Sequence, residues 1–264
     1  MHQTLCTSAV RSVRMLCTAY EDVIYPRHCL ISGAYIGTIA TRLPGVSDAV
    51  ADALPPGPPQ VEVLALLQRN FSDDELLLTS AFARYAVQVD SDADKLIYAI
   101  KYGQRTRLAS ALGQEVGATL RDITNDGYDI VVPVPIHSAR LRERGYNQAA
   151  FIARGVASSL EVQYAEPLMR TRYTGTQTTL DASHRLANVA NAFELRKIMG
   201  YETGHGAKNG APKVPSPSGM NLKGAHILIV DDVLTTGATM NACAEVLLNA
   251  GARRVDAAAI AVAL

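Results

Sequence analysis

The chain has 264 residues and carries 25 basic and 25 acidic side chains, so its formal net charge is zero. This balance argues against a protein that coats nucleic acid mainly by neutralising phosphates, because such a protein needs a basic surplus. With 48% hydrophobic residues and four cysteines, the composition fits a globular protein of a reducing compartment better than a disulfide-stapled secreted module. We therefore expect a cytoplasmic, water-soluble protein without a membrane segment.

The predicted elements begin with a helix near the N-terminus. Apolar residues recur every three or four positions from Leu5 to Ile24, which predicts one amphipathic helix. The range 33–59 is loop-like, and its proline-rich end cannot continue a helix. We place a domain boundary there, with an N-terminal region over 1–60 and a larger domain over 61–264.

Further along the chain, apolar runs alternate with helical patterns. Asp129–Pro135 and His226–Val230 are predicted strands, each followed by a loop and a helix, and Val255–Leu264 is a final strand. Strand, loop, helix and strand in this order predict a parallel sheet covered on both faces, with chemistry at the carboxyl ends of its strands. Glycines and prolines crowd together in 199–224, which we predict to be a flexible insertion.

The strongest functional signal is the stretch Ile227–Thr239. A buried strand delivers two adjacent carboxylates to its carboxyl end, and a turn of small residues then leads into a helix. Backbone N–H groups at a helix start favour an anion, and Gly237 would let the backbone approach it closely. Adjacent carboxylates can accept hydrogen bonds from paired ribose hydroxyls. The ligand implied is a ribose 5-phosphate, contacted by Val230, Asp231, Asp232, Thr235, Thr236, Gly237, Ala238 and Thr239.

This stretch resembles the phosphoribosyl pyrophosphate (PRPP) motif of type I phosphoribosyltransferases. Lys95–Gly103, Pro133–Gln148 and Arg170–Gln177 are similar to the ComF/GntX group of that superfamily. The resemblance implies an α/β type I phosphoribosyltransferase fold, a parallel sheet flanked by helices. It also implies displacement of pyrophosphate from PRPP by a nitrogen nucleophile, with Mg²⁺ held through the ligand beside Asp231 and Asp232 as catalytic residues.

The resemblance also indicates where further site residues lie. Arg140 and Arg142 follow the strand that ends near Pro135 and would contact pyrophosphate, whereas the alternative for such a run is a solvated basic face. The loop that ends at Arg185 would form a flexible hood over the site. Within it, Gln177 and Arg185 would contact the substrate, Arg185 as a catalytic residue.

The N-terminal region departs from the group at a metal site. Similar proteins carry a C-x-x-C zinc ribbon there, but in this chain Ser32 stands where the thiol that should follow Cys29 belongs. A structural zinc site needs about four Cys or His ligands, and Cys6 and Cys17 show no paired spacing. We therefore expect no zinc.

Two functions remain open. The chain is either a Mg²⁺-dependent phosphoribosyltransferase whose nitrogen acceptor the sequence does not identify, or a non-catalytic PRPP-fold accessory protein of DNA uptake in natural transformation. The accessory role would add competence proteins as partners and single-stranded DNA contacts through the basic patches 105–107 and 140–144. Either form could be a homodimer. An Asp-Asp metal phosphoesterase is disfavoured, because no further carboxylates or histidines cluster with the pair.

Overall fold

The structure, a computed structural model, describes residues 27–37, 41–72, 74–124, 127–172, 191–196 and 222–264. The chain divides into two compact units, 1–54 and 55–264. The predicted N-terminal helix, Gln177 and Arg185 of the hood, and nearly all of the 199–224 insertion lie outside the described residues. Within them, no helix is long and apolar enough to cross a membrane.

The first unit contains a short helix, α1 (Asp48–Ala53), in a range that the sequence pattern predicts as loop. The Ser47 hydroxyl accepts a hydrogen bond from the N–H of Val50 at 3.4 Å. A serine N-cap followed by an acidic residue is a helix start signal, which the prediction of a loop over 33–59 did not take into account. Cys29 is buried beside it, and its Sγ accepts from the N–H of Ser47 at 3.4 Å.

The second unit is a parallel sheet flanked by helices. Its helices and strands in chain order are α2 (Gln60–Gln68), β1 (Ala81–Val87), α3 (Asp92–Tyr102), α4 (Thr106–Ile123), β2 (Ile130–Pro133), α5 (Ser138–Arg144), α6 (Gln148–Leu160), β3 (Gln163–Tyr164), β4 (Leu168–Arg170), β5 (Phe193–Leu195), β6 (His226–Leu234), α7 (Ala238–Asn249) and β7 (Arg254–Ala263). Among the described residues, five strands form one sheet in the order β1-β7-β6-β2-β3. Each neighbouring pair in that sheet is parallel, whereas β4 and β5 form a separate antiparallel pair. The predicted fold class is confirmed.

One strand is longer than its pattern predicts. The sequence indicates a strand that ends at Val230, but β6 continues to Leu234 because β7 pairs with it throughout, up to Leu234 opposite Val262. Two carboxylates inside an apolar strand look like a strand end in the sequence. The neighbouring strand holds them in extended backbone.

Helices α4 and α6 pack closely through glycines. A Cβ atom added to Gly113 would lie 2.1 Å from the carbonyl oxygen of Ile152, and one added to Gly155 would lie 2.1 Å from that of Ser110. Both distances are far inside van der Waals contact, so only glycine permits this approach of the two backbones. The contact fixes α6, whose first residue is Gln148, against α4.

The outer edge of β1 is covered by the segment that begins the second unit. The N–H of Ala86 donates to the carbonyl of Pro55 at 3.1 Å, and the N–H of Gly57 donates to that of Arg84 at 2.9 Å. A Cβ atom at Gly57 would lie 2.1 Å from the carbonyl oxygen of Ala83. The glycine within this proline-rich run therefore allows the segment to lie along the strand.

Candidate functional site

The two adjacent carboxylates lie where β6 loses one of its neighbours. Pairing of β6 with β2 ends at Val230, whereas pairing with β7 continues. Side chains that follow one another on an extended strand point to opposite faces of the sheet. Asp232 is buried, with 5% of its surface exposed, while Asp231 is partly exposed. The strand has no bend here that would bring both carboxylates to one face.

Asp232 is held by two neighbouring helices. The Lys101 ammonium at the end of α3 lies 3.3 Å from Oδ1 of Asp232. The amide Nε2 of Gln148, at the start of α6, donates to Oδ2 of Asp232 at 2.9 Å. Gln148 in turn accepts from the guanidinium of Arg144 at 2.6 Å, and that guanidinium lies 5.2 Å from the ring centre of Tyr102. Both oxygens of Asp232 are thus engaged by side chains of the protein.

Asp231 has different surroundings. Its Oδ1 accepts the N–H of Asp232 at 2.8 Å. Burial and the nearby charge of Asp232 raise the pKa of Asp231 to about 7, although the hydrogen bond from the Asp232 amide and the charges of Lys101 and Arg170 oppose the increase. Asp231 is therefore a carboxyl group that exchanges a proton near neutral pH, and it is the less buried of the pair.

The predicted phosphate turn links β6 to α7. Gly237 is the N-cap of α7, has φ +79°, and provides no side-chain hydrogen bond to the first turn. The Thr236 hydroxyl accepts from the N–H of Ala238 at 3.4 Å, and Thr235 is exposed. This helix start retains the positive end of its dipole and N–H donors, as an anion site requires.

Gly237 has a role that the sequence pattern does not indicate. An added Cβ atom would lie 3.0 Å from Cδ2 of Leu67 on α2, so the missing side chain makes room for a core leucine. The positive φ independently favours glycine at this position. Because an added Cβ atom would point at Leu67, its direction does not support the expectation that Gly237 lets a ligand approach the backbone closely.

The predicted arginines are distributed along α5. Arg142 is exposed, and Arg140 is partly buried. Arg144, which ends the run, is the arginine that reaches Gln148. Val230 is completely buried in β6, so only its backbone could contact a ligand.

Sequence reasoning missed four residues around the site. Lys101 and Gln148 lie in stretches on which the family resemblance rests, and each is a polar residue near the end of a helix. Arg170 on β4 places positive charge near Asp231. The side chain of Asn241 accepts from the N–H of Leu77 at 2.7 Å, and it ties the segment before β1 to the first turn of α7.

The residues present suit a cation that is shared with a ligand rather than held by the protein alone. Within the described ranges, no group of three or more His, Cys, Asp or Glu side chains could hold a metal ion. Mg²⁺ binds through one or two carboxylates together with phosphate oxygens of a substrate. Asp231 fits this requirement, whereas both oxygens of Asp232 already have donors.

Comparisons with known proteins agree with the fold. A model of the phosphoribosyl transferase domain matches residues 147–263. DNA utilization protein YhgH of Escherichia coli (strain K12) is 33% identical over 166 residues, which are 61% of this chain and 63% of that protein. Competence protein F of Haemophilus influenzae is 29% identical over 129 residues, 48% of each chain. The chain thus spans less than two thirds of the length of these curated relatives.

Among solved structures, the allosteric regulatory enzyme of purine biosynthesis is 18% identical, with a TM-score of 0.34 over 61% of this chain and 29% of that one. Residues 147–263 thus match a phosphoribosyl transferase domain. Over part of its length, the chain is similar to a DNA utilization protein and to a competence protein.

Proposed function

We propose that the protein binds PRPP or ribose 5-phosphate at the end of β6, with the phosphate at the turn Thr235–Thr239 and the ribose hydroxyls at Asp231. The observation that carries this proposal is a partly exposed carboxylate, Asp231, followed four residues later by the turn that leads into α7. The turn offers N–H and hydroxyl donors to phosphate, and the carboxylate accepts from hydroxyls. One strand end thus supplies both halves of a ribose-phosphate site.

The same site supports Mg²⁺-dependent displacement of pyrophosphate from PRPP. Asp231 would hold Mg²⁺ together with phosphate oxygens of the ligand, and the ion would supply positive charge that compensates the pyrophosphate. Arg140 and Arg142 on α5, and Arg185, are proposed to contact the negatively charged leaving group. The protein's own part in such a reaction is to hold the ribose and compensate charge, since the transition state resembles an oxocarbenium ion.

Calorimetric titration with PRPP and Mg²⁺ tests the binding site. Asp231→Asn should weaken PRPP binding about ten- to a hundredfold, because a hydrogen bond to a charged acceptor is lost. Asp122→Asn, an exposed position on α4, is the matched control and should bind as the wild type does. Unchanged affinity in Asp231→Asn would exclude this carboxylate from the site.

A pyrophosphate-release assay with a panel of nitrogen bases then separates an enzyme from a binding protein. Base-dependent release establishes phosphoribosyl transfer and identifies the acceptor. Binding of PRPP without release by any base supports an accessory protein that uses the fold only to bind ligand. The names of the relatives, DNA utilization protein and competence protein F, favour testing the accessory function.

A second candidate function, contact with single-stranded DNA during DNA uptake, is supported by an exposed aromatic surface. Tyr98 and Tyr102 on α3 are 66% and 60% exposed, and their ring centres are 4.8 Å apart. Exposed Arg105 and Arg107 follow in the chain. Aromatic rings beside cations stack with the bases of single strands irrespective of sequence.

Fluorescence anisotropy with a labelled oligonucleotide tests this contact. The double variant Tyr98→Ala and Tyr102→Ala should weaken binding about tenfold or more, since each stacked base contributes about 1 to 3 kcal/mol. Tyr35→Ala removes an equally exposed tyrosine from the first unit and serves as the control. Equal binding by both variants would remove the aromatic surface from the proposal.

A further inference from the structure

Asp232 and Lys101 form the most buried ion pair beside the candidate site. The carboxylate side chain is 7% exposed and the lysine side chain 28%, with 3.3 Å between Nζ and Oδ1. Gln148 occupies the other carboxylate oxygen, and its amide orientation is fixed because arginine can only donate and a carboxylate accepts. With a donor on each oxygen and 7% of its side chain exposed, Asp232 is much less accessible to a hydroxyl group of a ligand than Asp231 is.

The neighbouring carboxylate is in the opposite situation. Asp231 is partly exposed, and its hydrogen bond from the amide of Asp232 uses Oδ1. Its position next in the strand leaves it on the other face of the sheet from Asp232. The two carboxylates are adjacent in sequence but unequal in access.

We propose that Lys101 is a positioning residue of the ribose-phosphate site, which neutralises and holds Asp232 so that Asp231 alone contacts the ligand. This inference rests on the proposed function of the site. Without the ammonium, the charge of Asp232 would stand uncompensated next to Asp231 and close to an anionic ligand. The end of β6 would also lose its tie to α3.

A double-mutant cycle on PRPP affinity tests whether Lys101 acts through Asp232. Lys101→Met alone should weaken binding about tenfold or more, because it leaves a buried charge unpaired beside the ligand. In the Asp232→Asn background, the same lysine change should have an effect of less than about twofold, since the charge that it compensates is gone. Lys101→Arg should restore most of the affinity.

Lys95→Met is the matched control for the cycle. Lys95 lies on the same helix and forms an exposed ion pair with Asp92 at 2.9 Å. Its replacement should leave PRPP affinity unchanged. If Lys101→Met alone proves too unstable, the PRPP affinities of Asp232→Asn and of the double variant are compared, because neither protein contains a buried unpaired carboxylate. A difference of more than about twofold between them would overturn the positioning role.

The outcomes separate this inference from the function on which it rests. Equal losses on Lys101→Met in both backgrounds would show that the lysine contacts the ligand itself, and would overturn the positioning role only. PRPP affinity of Lys101→Met equal to that of the wild type would also overturn the positioning role only. Absence of binding of PRPP and of ribose 5-phosphate by the wild-type protein would overturn both proposals.

Discussion

The Oδ1 atom of Asp231 accepts the backbone N–H of Asp232 at 2.8 Å, at the level where β6 no longer pairs with β2. The side chain thus replaces a missing strand partner. In the same position, burial and the neighbouring carboxylate raise the pKa of Asp231 from 3.8 to about 7. A group that assists the fold and titrates near neutrality should make stability depend on pH.

We predict that Asp231 makes the protein less stable as pH rises from about 4 to about 7. Its pKa is higher in the folded state than in the unfolded chain, so the folded state binds more protons in this window and loses that advantage as pH increases. Asp231→Asn should remove this part of the slope. Urea unfolding of the wild type and Asp231→Asn at several pH values measures the pH dependence of the free energy of unfolding, with Asp122→Asn as the control. Parallel pH profiles of the wild type and Asp231→Asn would contradict the raised pKa of Asp231.

Because α4 and α6 pack closely, we expect one added methyl group between them to destabilise the protein strongly. Gly155→Ala should lower the free energy of unfolding by about 1 to 3 kcal/mol, because the new Cβ collides with the carbonyl of Ser110. Gly127→Ala is the control, since nothing lies within 4 Å of a Cβ atom there. Thermal unfolding of the two variants compares them, and equal melting temperatures would contradict this packing.

Gly237 is predicted to stabilise the fold, in addition to its place in the proposed phosphate turn. Gly237→Ala should destabilise the protein by about 1 to 2 kcal/mol or more through its positive φ, and further through contact with Leu67. Gly145→Ala has a similar φ of +82° but no neighbour within 4 Å, so the difference between the two variants isolates the contact with Leu67. Thermal unfolding measures both variants, and equal losses of stability would contradict the contact with Leu67.

The protein is predicted to contain no stoichiometric zinc. Burial would raise the pKa of the Cys29 thiol, but hydrogen bonds from Ser32, Ser47 and Ile31 outweigh it and lower the pKa to about 6. Donors of the protein thus stabilise the thiolate at the position where the family resemblance implies a metal ligand. Elemental analysis after dialysis checks this prediction, and one zinc per chain would contradict it.

The sheet could be predicted because its strands are nearly uniform apolar runs, as in β6 and β7. The turn before α7 was recognisable from its small residues. The partners of Asp232 were not, because Lys101 and Gln148 are 131 and 84 positions away in the chain and only packing brings them together. The opposite orientation of the two carboxylates depends on β7, which keeps the strand extended to Leu234.

The proline-rich run at 55–57 also determines at which residue a shortened form of this protein can begin. By bonding to Arg84 and Ala86, it occupies backbone groups on the outer side of β1 that would otherwise be open to another strand. A protein shortened to begin at residue 61 exposes that edge, whereas one that begins at residue 55 keeps it covered. This run prevents the edge of β1 from pairing with a second copy of the chain. We therefore expect the larger unit to stay monodisperse only when it retains residues 55–57.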